Sequence, residues 1–213
     1  MIKLYTWATP NGRKIAIMLE ELGIPYQVQT VNLGKNEQFS PEFQTISPNN
    51  KIPAIVDDEA EGGRLTVFES GAILTYLAEK SSQFLATSGH ERYKALEWLH
   101  WQIGGLGPMF GQLSYFAMRA EQKSPQAIER FKQESERLLG VLERRLSATP
   151  YLAGEHYSIA DMAAYPWTVS ATNYMKDVLG EYLASTPAIH DWLKRVGTRP
   201  GVQRGMAVPN ITA

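Results

Sequence analysis

The spacing of apolar residues changes character near residue 80, and this change constrains the fold more than any other feature of the chain. Before it, short segments alternate in type. Residues 3–7, 26–31, 54–57 and 65–68 read as strands, and residues 13–22 and 70–79 as helices. A charged, glycine-containing stretch at 57–64 joins the last two strands as a hairpin. The order is therefore βαβ followed by ββα. Beyond His90 only helical spacing is found, over 91–105, 111–120, 125–146, 159–173 and 188–198. The expected organisation is an α/β domain over 1–80, a serine-containing linker over 81–89, and an all-helical domain over 90–213.

Charge narrows the partners. With 21 basic and 22 acidic residues among 213, the chain has no electrostatic footprint for nucleic acid or for an anionic membrane. No apolar run approaches the roughly 20 residues that span a bilayer, and Met1–Tyr5 lacks the regions of a signal peptide. The expectation is a soluble, cytoplasmic protein that binds small molecules or other proteins. The chain has no cysteine, which excludes disulfides and thiolate metal sites, and its four histidines show no paired ligand spacing. No metal is expected.

Between the first strand and first helix lies Thr9-Pro-Asn-Gly-Arg-Lys14. A turn that delivers a strand into a helix start presents unpaired N–H groups and a positive dipole end, which favour anions and thiolates. Redox proteins often place Cys-x-x-Cys there. Here any reacting sulfur has to arrive with a ligand.

Two further stretches stand out. Asn49-Asn-Lys-Ile-Pro53 places a proline directly before a β-branched strand. It reads either as an ordinary trans proline at a strand start, the commoner form, or as a cis bond that turns Ile52 outward toward a ligand lying like an added strand. Phe68-Glu-Ser-Gly71 opens a helix straight after a strand. Ser70 can cap that helix with Glu69 assisting its dipole, or the pair can hold the carboxylate and ammonium of an α-amino acid group.

These stretches in order, together with Tyr157-Ser-Ile-Ala-Asp161, resemble the cytosolic glutathione transferases, and most closely the bacterial Nu class. The likeness runs from Ile2 to about Pro200. It implies the glutathione transferase fold, a thioredoxin-like N-terminal domain followed by an all-α helical bundle, assembled as a homodimer with glutathione as co-substrate. The resemblance assigns Glu69 and Ser70 to the γ-glutamyl group, and Ile52, before a cis Pro53, to the cysteinyl backbone. Lys51 and Gln38 go to the glycyl carboxylate end. Arg130 matches a Nu-class arginine that reaches a glutathione carboxylate from the helical domain, while Glu129 and Glu134 around it suit an ordinary solvated helix face.

The resemblance also implies that Thr9 and Asn11 cradle and activate the glutathione sulfur, since donors to the charged form lower a thiol pKa. Arg13 and Lys14 add positive potential. Tyr5, which alternation places on one face of its strand with Trp7, is the rival hydroxyl. Nu-class members reduce disulfides with glutathione, so the implied substrate is a small-molecule disulfide, with conjugation of an electrophile as the alternative. A non-catalytic binding protein of the same fold is a third reading, and the complete Lys51, Pro53, Glu69, Ser70 set argues against it. Trp7, Met109, Phe110, Tyr115 and Phe116 are implied for a second-substrate pocket, although an aromatic at helical spacing also suits a core. Pro108 is expected to kink or break its helix. Ser158–Asp161 reads as a capping-box variant that serves folding.

Overall fold

The computed structural model describes residues 1–210. Its first strand, β1 (Ile2–Thr6), alternates as a half-covered strand should: Ile2, Leu4 and Thr6 are buried, Lys3 and Tyr5 less so. Helix α1 follows at Pro10–Leu22, burying Ile15 to Leu19. It starts three residues earlier than the sequence reading placed it. Thr9 is the N-cap and Pro10 sits in the first turn, where its missing N–H costs nothing. Gly23, at φ 63°, ends the helix with its N–H on Glu20 C=O, and Ile24 N–H reaches Leu19 C=O.

Strand β2 (Tyr26–Thr30) runs parallel to β1. A segment of tight turns and the short helix α2 (Pro41–Gln44), none of which the sequence reading resolved, leads on to β3 (Ala54–Asp57) and β4 (Leu65–Phe68). Both of these are antiparallel to their neighbours, and the sheet order is β2-β1-β3-β4. Helix α3 (Ser70–Ser81) then packs on the same face as α1. Its far half is tied to the sheet by Asp57, which accepts from Tyr76 Oη at 2.7 Å and from the Lys80 ammonium. This is the thioredoxin-like arrangement expected.

The helical elements are α4 (Gly89–Trp101), α5 (Gly107–Ser114), α6 (Pro125–Ala148), α7 (Ile159–Tyr174), α8 (Lys176–Leu183), α9 (Pro187–Gly197) and α10 (Pro200–Met206). Pro108 falls in the first turn of α5. The preceding wide turn, Gln102–Leu106, has Gly107 N–H bonded to Gln102 C=O, so the backbone shifts register where the proline has no N–H to give. Neither α8 nor α10 was anticipated from the sequence.

The described chain forms two compact units, residues 1–85 with 197–210, and residues 86–196. The segment after Gly197, which the sequence reading gave to the helical half, thus packs with the sheet. The reason is specific: Gly205 lies so close to α1 that a Cβ would stand 2.4 Å from Ile17 Cα. Arg199 also grips Glu21 with two hydrogen bonds of 3.0 and 2.6 Å, and Arg204 Nε reaches Glu20 at 2.6 Å. The core of the helical unit includes Leu99, Phe110, Leu138, Leu142, Met162 and Trp192. Among the described residues, no helix is long and apolar enough to cross a membrane.

Candidate active site

Strand register brings the N-terminal candidates to one end of the sheet. Tyr5 pairs with Ala54 and Ala54 with Phe68, so the segments just beyond them, Trp7–Thr9, Ile52–Pro53 and Glu69–Ser70, lie at the same edge. Val31 N–H donates to Thr6 C=O at 2.9 Å, which starts the loop carrying Gln38 from that edge too.

At the head of α1, Thr9 Oγ1 accepts Gly12 N–H at 3.2 Å. An oxygen that accepts in this way keeps its own proton to donate elsewhere. Glycine is required at 12, because a Cβ there would stand 2.3 Å from Thr6 Oγ1 and 2.4 Å from Trp7 C=O. Asn11 is half-buried in the same first turn. The stretch read as a turn is therefore the first turn of the helix itself.

The Ile52–Pro53 bond is cis. The loop before it is pinned by Ser47, which is fully buried and whose hydroxyl donates to Lys51 C=O at 2.8 Å. Lys51 extends into solvent. Asn49 Nδ2 donates to Glu69 Oε1 at 3.4 Å and so joins this loop to the head of α3. Gln38 stands in a tight turn, Glu37–Phe39, with its Oε1 shielded from solvent and without a hydrogen-bond partner.

Glu69 has φ 70° and ψ 117°, a conformation uncommon for a residue with a side chain, and no side chain caps the helix that it starts. Its carboxylate is exposed, whereas Ser70 is buried. Behind Ser70 lies a group that sequence reasoning treated only as nearby positive potential. Lys14 is 1 % exposed, and its Nζ donates to Ser70 Oγ at 3.2 Å. Burial pulls its ammonium down to about 7, with the Glu69 carboxylate opposing the shift. One signal could have revealed it: Lys14 shares a helix face with Ile17 and Met18, three and four positions on.

The remaining candidates have surroundings of their own. Tyr5 and Trp7 pack together on Val31, Phe43, Ile52 and Ala54, and the Tyr5 ring lies 6.1 Å from that of Phe43. Tyr5 also lines a cavity of about 290 Å³ with Gln29, Glu37, Glu42, Phe43 and Ile46, and neither Thr9, Pro53 nor Ser70 borders it. In the helical unit Phe110 is fully buried as a core residue, while Tyr115 is 49 % exposed. Met109 is half-buried. Phe116 stacks on Phe131 at 5.6 Å. Arg130 is exposed on α6. There the Arg137 hydrogen bond, with a smaller contribution from the Arg130 charge, holds the Glu134 carboxyl below its usual range.

A capped helix start, the Ile52–Pro53 segment and an uncapped Glu-Ser helix head thus meet at one end of the sheet in a chain without cysteine. Family models agree along the chain. Residues 1–79 match the glutathione S-transferase N-terminal domain and residues 125–195 the C-terminal domain. The protein belongs to the glutathione S-transferase family and is an enzyme of that family. It is 50% identical over 208 residues to the disulfide-bond oxidoreductase YfcG of Escherichia coli, covering 97% of this chain and 94% of the relative. A glutathione transferase family member from Pseudomonas fluorescens, solved with two glutathione bound, superposes with a TM-score of 0.94 at 43% identity, over 98% of this chain and 93% of that one. A glutathione transferase from Pseudomonas putida, solved with one glutathione disulfide bound per subunit, gives 0.93 at 43% identity, over 98% and 91%.

Proposed function

We propose that this protein is a glutathione-dependent disulfide-bond reductase that uses the thiolate of bound glutathione in place of a protein cysteine. The observation that carries the reading is the convergence of the α1 head, the Ile52–Pro53 segment and the Glu69–Ser70 corner at one end of the sheet in a chain with no cysteine. The name of the Escherichia coli relative and the glutathione pair and glutathione disulfide in the Pseudomonas structures support it.

In this reading Glu69 accepts from the γ-glutamyl ammonium, and Ser70 with the first N–H groups of α3 holds the carboxylate. Ile52, ahead of cis Pro53, pairs its backbone with the cysteinyl residue. Lys51 and Gln38 meet the glycyl end, and Arg130 a glutathione carboxylate. The free proton of Thr9 Oγ1 and the Asn11 amide or N–H donate to the sulfur, and the dipole of α1 favours its thiolate. That thiolate attacks one sulfur of the substrate disulfide, releasing a thiolate and forming a mixed disulfide with glutathione. A second glutathione thiolate then displaces the substrate's other sulfur. Two thiols leave and one glutathione disulfide forms, so two electrons pass from the glutathione pair to the substrate. The setting is cytoplasmic and the assembly a homodimer, each chain dividing at a linker over 81–89.

The test is turnover of hydroxyethyl disulfide against conjugation of a chloronitrobenzene in wild type, T9A, N11A and Y5F. Disulfide reduction should dominate and should fall in T9A and N11A while Y5F keeps most of it. Loss confined to Y5F would move the activating hydroxyl to Tyr5. Dominant conjugation would make the protein a transferase of electrophiles.

A further inference from the structure

A lysine inside a protein needs a reason, because its charge is rarely withdrawn from water without a partner. Lys14 is enclosed between α1 and α3 and gives a hydrogen bond to Ser70 Oγ at 3.2 Å. The Ser70 oxygen, having accepted from the ammonium, turns its own proton to another acceptor. Around that proton the α3 ladder begins with Ile73 N–H on Glu69 C=O, so the N–H groups of Ser70, Gly71 and Ala72 have no acceptor within the helix. A hydroxyl, the first amides of α3 and a buried cation are thus gathered at the head of this helix. The exposed Glu69 carboxylate, held at φ 70°, stands beside it.

We propose that Lys14 is a positioning residue of this corner: it aims the Ser70 hydroxyl at the α-carboxylate of the γ-glutamyl group and takes up a proton as that carboxylate binds. The proposal rests on the reading of the site as a glutathione site. With burial holding Lys14 near 7, the free protein carries it partly neutral around neutral pH. A bound carboxylate on the far side of Ser70 adds a negative charge that favours the ammonium. Affinity therefore strengthens as pH falls from the alkaline side toward 7.

The other charges around Lys14 are engaged elsewhere or fixed. On α1 itself, Glu20 and Glu21 stand about 9 and about 10 Å further along by helical rise, held by Arg204 of α10 and by Arg199 just before it. On β1, Lys3 pairs with Asp58 at the opposite end of the sheet. At the far end of α3, Lys80 is bound to Asp57 and Glu79 is exposed. Arg13 is the neighbour of Lys14 in the first turns of α1. Glu69 remains as the carboxylate that faces the ammonium.

The experiment is calorimetric titration with S-methylglutathione, whose sulfur cannot ionise, at pH 7.5 in phosphate and in Tris. These buffers differ in ionisation enthalpy, so the proton count follows from the difference in heat. Wild type should take up roughly half a proton or more per ligand, of which the ligand amine, already protonated at this pH, supplies little. Lys14→Met, which keeps the volume of the side chain, should abolish the uptake and weaken binding about tenfold or more. Ser70→Ala should weaken it similarly, and the double variant little further, since the two act as one unit. Binding by wild type with no proton exchanged, or uptake retained in Lys14→Met, overturns the role of Lys14 and leaves the glutathione site standing. Failure of wild type to bind either S-methylglutathione or glutathione overturns the site reading itself. The wild-type proton count is decisive even where Lys14→Met does not fold.

Discussion

Helices α3 and α7 begin in opposite ways. At α7 Ser158 Oγ accepts Ala160 N–H at 3.3 Å, and the fully buried Asp161 carboxylate gathers four donors. These are Ser158 N–H at 3.1 Å, Ser158 O–H at 3.2 Å, Leu152 N–H at 3.0 Å and Trp192 Nε1–H at 2.9 Å. At α3 no side chain caps the helix, Glu69 just before it is held at positive φ, and the Glu69 carboxylate faces solvent. A helix start whose donors are met from within serves the fold. One left open, at the expense of backbone conformation, is available to something from outside. Helix α1 is intermediate, since Thr9 caps it and keeps a proton to give.

The sharpest way to break this contrast is at α7. Asp161→Ala should cost about 3–5 kcal/mol, because it strands several buried donors at once. Urea unfolding measures it, and a loss below about 1 kcal/mol would put the two helix starts on the same footing. The pH dependence is next. Burial raises the Asp161 carboxyl to about 6, and the four donated hydrogen bonds offset only part of that. The native state then holds this proton more tightly than the unfolded chain. Its contribution is fully present below about 4, is lost as pH rises through about 6, and amounts to at most about 3 kcal/mol. Stability curves at stepped pH should show that decline in wild type and lack it in Asp161→Asn.

At α3 the expectation reverses. Glu69→Gly should raise stability by about 1 kcal/mol by relieving the positive φ, yet should weaken glutathione binding about tenfold or more, as loss of a charged acceptor does. Thermal melts and a binding titration on the same variant read both signs. The last effect belongs to α1. Thr9→Ala should cost about 1 kcal/mol for the lost cap and lower disulfide turnover, while Thr9→Ser should restore both.

The sequence disclosed the sheet well, for local chemical reasons. Strands 54–57 and 65–68 stand where β-branched residues, a proline and a glycine-containing hairpin put them. The head of α1 was displaced because Pro10 and Gly12 are turn residues in most settings. In this one, proline suits a first helical turn, and glycine answers to the Thr6 and Trp7 atoms beside it. Helix α10 went unseen for a similar reason. Gly201 and Gly205 weaken a helical pattern and mark instead a close approach to α1 that only the folded chain reveals. Of the site, the motif residues at 9, 52–53 and 69–70 were visible as oddities of local sequence, whereas their gathering at one edge follows from strand register. The burial of Lys14 was not legible, because a lysine in a helix ordinarily reads as surface and its partner Ser70 lies 56 residues further along the chain.

The clasp of α10 on α1 also bears on how the chain is made. Glu20 and Glu21 emerge from the ribosome long before Arg199 and Arg204, with the whole helical unit synthesised in between. A nascent chain that has just completed its sheet still lacks the helix that covers Ile17, so this surface stays open while the helical unit folds. The sheet unit is the first to be started and the last to be finished.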